Sequence, residues 1–401
     1  MKIRTSREKI NGLLEQAKTN RVLALFLLNR SHEAFRLAEQ YIASGLKNAT
    51  MVCRLIDSAP NIDALDEYSY LIDQFASSNS EVNTSLFYKL HSFGEHLRAE
   101  AAAKRAISLS PASPHTLFCS AMATHNEALH GDWSLRQSRI KEAMEKYDSA
   151  ILLAAEDNWR NLLPDLYMNR GTLNALSGNL NDALADFKKS VESAKTPSAY
   201  SLHAVRFLLH CQKPQLAKDF LPSLDCTSLD GKLCFSLVNS QLTPVESEQA
   251  SYIKTLQELA ETPWDRSVEC RIYCISLALS VGDFAKATDC ITDSFLIEHP
   301  FQAEIAQAWI AFESGNERKA REHADLALTK DSRRAHHEEL RLLSQILISL
   351  RLYSSAIDIL LNIITPGVLN DEMKSLLECA QFEGRHDILL RLRRELRTTG
   401  E

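Results

Sequence analysis

From Asp165 to Pro197 the chain reads DLYMNRGTLNALSGNLNDALADFKKSVESAKTP, with apolar and small residues at helical spacing on both sides of a polar break at Ser177-Gly178-Asn179. That pattern predicts a helix, a tight turn and a second helix. Gly171 is a small residue in the first helix, where a partner helix must come close. Ala183, Phe187 and Ser190 fall at i, i+4 and i+7 of the second. A small–aromatic–small stripe lets two helices pack tightly and offers the next pair a surface.

The pattern recurs. In 81–113, Gly94 marks the turn, Ala99, Ala103 and Ala106 form the stripe, and Pro111 ends the helix. In 115–157, Ala143, Tyr147 and Ala150 repeat it, and an extra HGDWSLRQSRI follows the first helix. Segments 199–226 and 229–262 read as degenerate hairpins punctuated by Pro214, Pro222, Pro244 and Pro263, with a helix from about Glu246 to Leu259. The signal sharpens in 267–300, with a turn at Gly282, a stripe of Ala287, Ile291 and Ser294, and Pro300 at the close. In 302–333, Gly315 turns and Ala320, Ala324 and Ala327 form the stripe. In 336–367, Ala356, Leu360 and Ile363 do so before Pro366-Gly367. Ala34 and Ala38 mark a hairpin near 20–45, and Pro60 separates two helices in 48–79. A last hairpin, 370–397, turns at Gly384 and ends in DILLRLRRELR, polar enough on one face to cap an array. The expected organisation is divergent hairpins in 1–80, regular ones in 81–197, degenerate ones in 198–266, and regular ones with a capping helix in 267–401.

The stripe starts at 287, 320 and 356 lie 33 and 36 residues apart. This resembles the tetratricopeptide repeat (TPR) superfamily, whose period is about 34 residues. Tyr167, Gly171, Gly178, Ala183, Phe187 and Ser190 stand on its signature positions, while other units carry Phe87, Ile275, Ala308 or Ser344 in place of the first-helix glycine. The resemblance implies an all-α fold, a right-handed α-solenoid (a TPR-like superhelix) of stacked antiparallel helical hairpins. Its first helices would line a concave groove that binds a protein or peptide. Members that hold chaperone tails use a carboxylate clamp of Lys, Asn and Arg. Asn169 lies at a clamp-like position, but YSLHAVRFLLH and the preceding helices do not supply the rest. Peptide-pheromone receptor regulators carry an N-terminal effector module, for which residues 1–19 are too short.

Composition agrees. Only 12 Gly and 11 Pro in 401 residues argue for helices with short connections. A net charge of −7 argues against binding nucleic acid through phosphate contacts. The nine cysteines include no Cys-x-x-Cys pair and several sit in apolar stripes, as expected of buried thiols in a reducing cytosol. The N-terminus shows no secretory signal, and the early apolar run Val22–Leu28 is too short to cross a bilayer. These readings lead to a cytoplasmic protein with no membrane partner.

No nucleotide loop, zinc-hydrolase motif or nucleophile elbow is present. His336-His337-Glu338-Glu339 reads as an exposed helix start, because adjacent helical residues point about 100° apart and do not converge on one ion. Cys270 and Cys274 read as core thiols, and His91 and His96 beside Gly94 as surface residues. No catalytic residue, cofactor or metal is expected. The groove register instead points to Tyr88 and His91 in 81–113, Trp309 and Phe312 in 302–333, Arg341 and Gln345 in 336–367, and Lys374 beyond them. Aromatic residues beside Arg make binding hot spots. The competing reading places Trp309 and Phe312 in the inter-repeat core. Trp133, in the irregular connection, is a further contact candidate. The function expected is a non-catalytic adaptor, scaffold or sensor subunit of a larger complex. The alternative is the regulatory arm of an enzyme or peptide-responsive regulator whose active part is a separate subunit or missing domain.

Overall fold

The computed structural model describes residues 2–130, 135–156, 159–211, 213–242, 246–262, 266–280, 282–330, 337–363 and 371–390. Among them all regular structure is helical. The chain divides into two compact units, Met1–Leu173 and Asn174–Glu401, a division that falls inside the 81–197 block.

The first unit holds α1 (Lys2–Leu27), α2 (Ser31–Ala43), α3 (Ala49–Ser58), α4 (Ile62–Asp66), α5 (Ser69–Ala76), α6 (Ser80–Ser92), α7 (His96–Leu109), α8 (Pro114–His130), α9 (Arg136–Glu156) and most of α10 (Leu163–Leu176). Helix starts follow local chemistry. Asn48, Asn61 and Asn79 each accept a hydrogen bond from the backbone N–H three residues on, satisfying a donor the helix cannot use itself. The α6–α7 turn closes with Gly94 at φ +78°, the Glu95 N–H donating to Leu90 O and the Gly94 N–H to His91 O. Such a left-handed C-terminal turn suits glycine, which has no Cβ to clash. Ala99, Ala103 and Ala106 are buried as the stripe requires, and α7 packs against both α6 and α8. In the next hairpin Tyr147 is wholly buried between Ala143 and Ala150. Ala34 and Ala38 are likewise buried, whereas the helix after Pro60 is split into α4 and α5.

The second unit continues with α11 (Leu180–Ser193), α12 (Pro197–His210), α13 (Pro214–Ala217), α14 (Leu229–Leu242), α15 (Glu246–Glu261), α16 (Ser267–Ser280), α17 (Phe284–Asp289), α18 (Asp293–Glu298), α19 (Pro300–Glu313), α20 (Glu317–Thr329), α21 (His337–Ser349), α22 (Tyr353–Ile363) and α23 (Asp371–Phe382). Ala183, Phe187 and Ser190 are fully buried, and Phe187 meets Phe207 edge-on with ring centroids 5.7 Å apart. Pro222 lies in a 3₁₀ segment, Lys218–Ser223, which replaces the second helix of a degenerate hairpin. At Gly231 an added Cβ would stand 1.9 Å from Asp225 O, so only glycine fits there. The α19–α20 and α21–α22 pairs match their stripes, with Ala320, Ala324, Ala327, Ala356, Leu360 and Ile363 all buried.

One stripe is corrected. After Ala287 the second helix breaks, and Thr292 accepts from the Phe295 N–H to start α18. The new start resets the register, so Ser294 is exposed, Ile291 half-buried, and Phe295 buried instead. At the C-terminal end Gly384 turns at φ +67° into a helical segment, 386–390. The rest of DILLRLRRELR lies outside the described residues. No helix among the described residues is long and apolar enough to cross a membrane.

Candidate protein-binding surface

In the second unit the first helices of consecutive hairpins, α19 and α21, pack together. They are joined by a buried hydrogen bond: Gln302 Nε2 donates to Glu339 Oε2 at 3.0 Å. Trp309 lies two turns beyond Gln302 on the same helix face. Its ring is half-buried against the core of α14–α19, and its Nε1 donates to Glu313 Oε1 at 3.3 Å. Much of Trp309 therefore serves packing, with one edge left at the surface. Phe312 is half-buried and Arg341 likewise, while Gln345, one turn on from Arg341, is exposed. Lys374 is exposed on α23, which packs on α22. Beside them His323 Nδ1 meets Glu304 Oε2 at 2.8 Å, linking α20 to α19.

The first-unit candidates sit deeper. Tyr88 joins two core clusters, its ring centroid 5.4 Å from Phe87 and 6.2 Å from Phe118. Burial pushes its phenol well above the ordinary tyrosine range. His91 is half-buried, not a surface residue. It stacks on Phe87 at 5.8 Å, shares a 3.1 Å hydrogen bond with Asn126, and burial holds its imidazole below the usual range. His96 is exposed. Asn169 directs its amide to Asp165 O within its own helix, at 2.8 Å. Trp133 and His336 lie outside the described residues.

The Gln302–Glu339 bond was not anticipated from the sequence; its only signal is a pair of polar residues 37 apart, on two successive first helices. Nor was Trp159, which is 41% exposed and meets His115 edge-on at 4.5 Å.

Burial pushes the Cys270 thiol up to about 12 and raises Cys274 as well, so both stay protonated and poorly nucleophilic. Among the described residues no group of three or more His, Cys, Asp or Glu is placed to hold a metal ion.

No family model matches the chain. No curated protein matches it either. Among solved structures, a tetratricopeptide repeat protein from Parabacteroides merdae is 17% identical, covering 66% of this chain and 98% of its own at a TM-score of 0.45. A human IFIT1 dimer with PPP-AAAA is 12% identical, covering 96% and 95% at 0.46. Pseudomonas aeruginosa pilF is 13% identical, covering 61% and 91% at 0.37. The hairpins themselves carry the assignment: glycine in the left-handed region at their turns, and small residues buried at helical spacing along the second helix. By that construction the described residues form an all-α fold of stacked antiparallel helical hairpins, the fold that tetratricopeptide-type repeats share.

Proposed function

We propose that the chain is a non-catalytic protein-interaction module, an adaptor, scaffold or sensor subunit that takes a protein or peptide along its first helices. One observation supports this reading above the others. The buried Gln302–Glu339 bond holds α19 and α21 together, and those two helices leave Trp309, Phe312 and Arg341 half-buried and Gln345 exposed to solvent. A preorganised surface loses little entropy on binding, and Trp and Arg anchors supply much of the affinity. Lys374, exposed on α23, extends the surface. The cysteines, all free and seven of the nine buried, suit a reducing cytoplasm.

Affinity capture with the full chain, followed by mass spectrometry, identifies the partner. Trp309→Ala with Arg341→Ala is expected to weaken that partner by at least about tenfold, or roughly 1.4 kcal/mol, with unchanged circular dichroism. A folded double variant that binds at wild-type strength overturns the surface. A 5′-triphosphorylated RNA is expected not to bind at physiological salt, given the net charge of −7.

A further inference from the structure

In the first unit a cavity of about 210 Å³ opens between α5 and α7, with α6 beneath it. Four buried aliphatic side chains, Leu65, Ile72, Leu86 and Leu90, line it. Its polar lining is Ser69, Asp73, Arg98 and Arg105. Arg98 is already used: its Nη2 reaches Asp66 Oδ1 at 2.6 Å, and that ion pair is neutral as a whole. Two opposite charges remain, Arg105 and Asp73.

Arg105 is aimed from behind. Asn83 is wholly buried, and its Nδ2 donates to Ala76 O at 2.6 Å and to Asn79 O at 2.9 Å. With the amide held that way, Oδ1 accepts from Arg105 Nε at 2.9 Å. This leaves both terminal nitrogens of the guanidinium without a protein acceptor among the described residues, and a planar fork with two free N–H rows grips a carboxylate at two points. The Asp73 carboxylate has no side-chain partner among the described residues, and it does not pair with Arg105 although both line the same cavity. Both side chains are exposed at the mouth of the cavity, and a guanidinium and a carboxylate at the rim of an apolar floor match a molecule that carries the reverse charges and one aliphatic group.

We propose that this cavity binds a free aliphatic α-amino acid. Its carboxylate meets Arg105, its ammonium meets Asp73 and the Ser69 hydroxyl, and its side chain lies on Leu65, Ile72, Leu86 and Leu90. Only a free amino acid carries both charges on one carbon; a peptide C-terminus lacks the ammonium and an N-terminus lacks the carboxylate. The volume suits one residue. The site uses the second helices α5 and α7 and is independent of the protein-binding surface proposed above.

Isothermal titration calorimetry on the full chain tests it with L-leucine, N-acetyl-L-leucine and L-leucinamide. Saturable binding of leucine is expected, with each blocked analogue at least tenfold weaker. Arg105→Gln is expected to weaken leucine at least tenfold. Asp73→Asn is expected to weaken leucine while leaving N-acetyl-leucine unchanged, which a merely structural role for Asp73 does not produce. Circular dichroism confirms that each variant is folded. Absence of leucine binding to the folded wild type, equal binding of the blocked analogues, or wild-type affinity in both variants overturns the proposal.

Discussion

Gln302 and Glu339 meet in the interior of the second unit, 3.0 Å apart, on the first helices of two consecutive hairpins. A buried carboxylate deprived of a donor costs more than the bond itself contributes. Gln302→Leu is therefore expected to destabilise the second unit by about 2–3 kcal/mol. In a double-mutant cycle with Glu339→Leu the two losses should fall short of additive by about 1–2 kcal/mol. Additive losses in urea unfolding would show that the pair is not coupled.

Ala183 and Ala320 have no exposed surface and sit on the helix faces that meet their neighbours. Leucine at either position forces side chains off their rotamers or helices apart. Each substitution is expected to cost on the order of 1–3 kcal/mol. A thermal midpoint that stays put in both variants would contradict the packing described for these stripes.

Arg351 follows α21 at φ +59°, where the described turns at Gly94, Gly178, Gly282, Gly315 and Gly384 use glycine. Its hydrogen bonds are those of the Gly315 turn: the Leu352 N–H donates to Leu347 O at 2.8 Å, as the Asn316 N–H donates to Ala311 O at 2.8 Å. A side chain in this region costs about 1–2 kcal/mol, and glycine loses part of that advantage through its freer unfolded chain. Arg351→Gly is expected to stabilise the protein by about 0.5–1 kcal/mol. Differential scanning calorimetry showing a lower midpoint would refute the assignment.

Burial lowers the pKa of His91, and also of His115 and His203, from the ordinary 6.5. Below that value the unfolded chain binds protons that the folded chain resists. Stability from these residues is thus full above about pH 6.5 and declines as pH falls through the histidine range. Asp57, whose carboxyl is raised by burial, acts in the opposite sense, so the comparison must be between proteins. His91→Gln with His115→Gln is expected to flatten the loss of stability between about pH 7 and 5 relative to wild type. An unchanged slope would mean that neither imidazole is held neutral by the fold.

The sequence by itself determined the class and most of the hairpins. Small residues at three- and four-residue intervals mark helix faces that must touch, and glycine marks turns that need a left-handed residue; Gly94, Gly178, Gly282, Gly315 and Gly384 all have positive φ. Both signals are local, which is why Ala183-Phe187-Ser190 and Ala320-Ala324-Ala327 were legible before any packing was known. The tertiary structure alone decided what depends on another segment. Ser294 reads as a stripe residue until Thr292 caps a new helix and turns Phe295 inward. Tyr88 and Trp309 read as groove anchors, but their neighbours draw much of each ring into the core. The same holds for Asn83 behind Arg105 and for Gln302 against Glu339, 22 and 37 residues apart. Burial and pairing are properties of the surroundings, and periodicity reports only which face of a helix a residue occupies, not what stands opposite it.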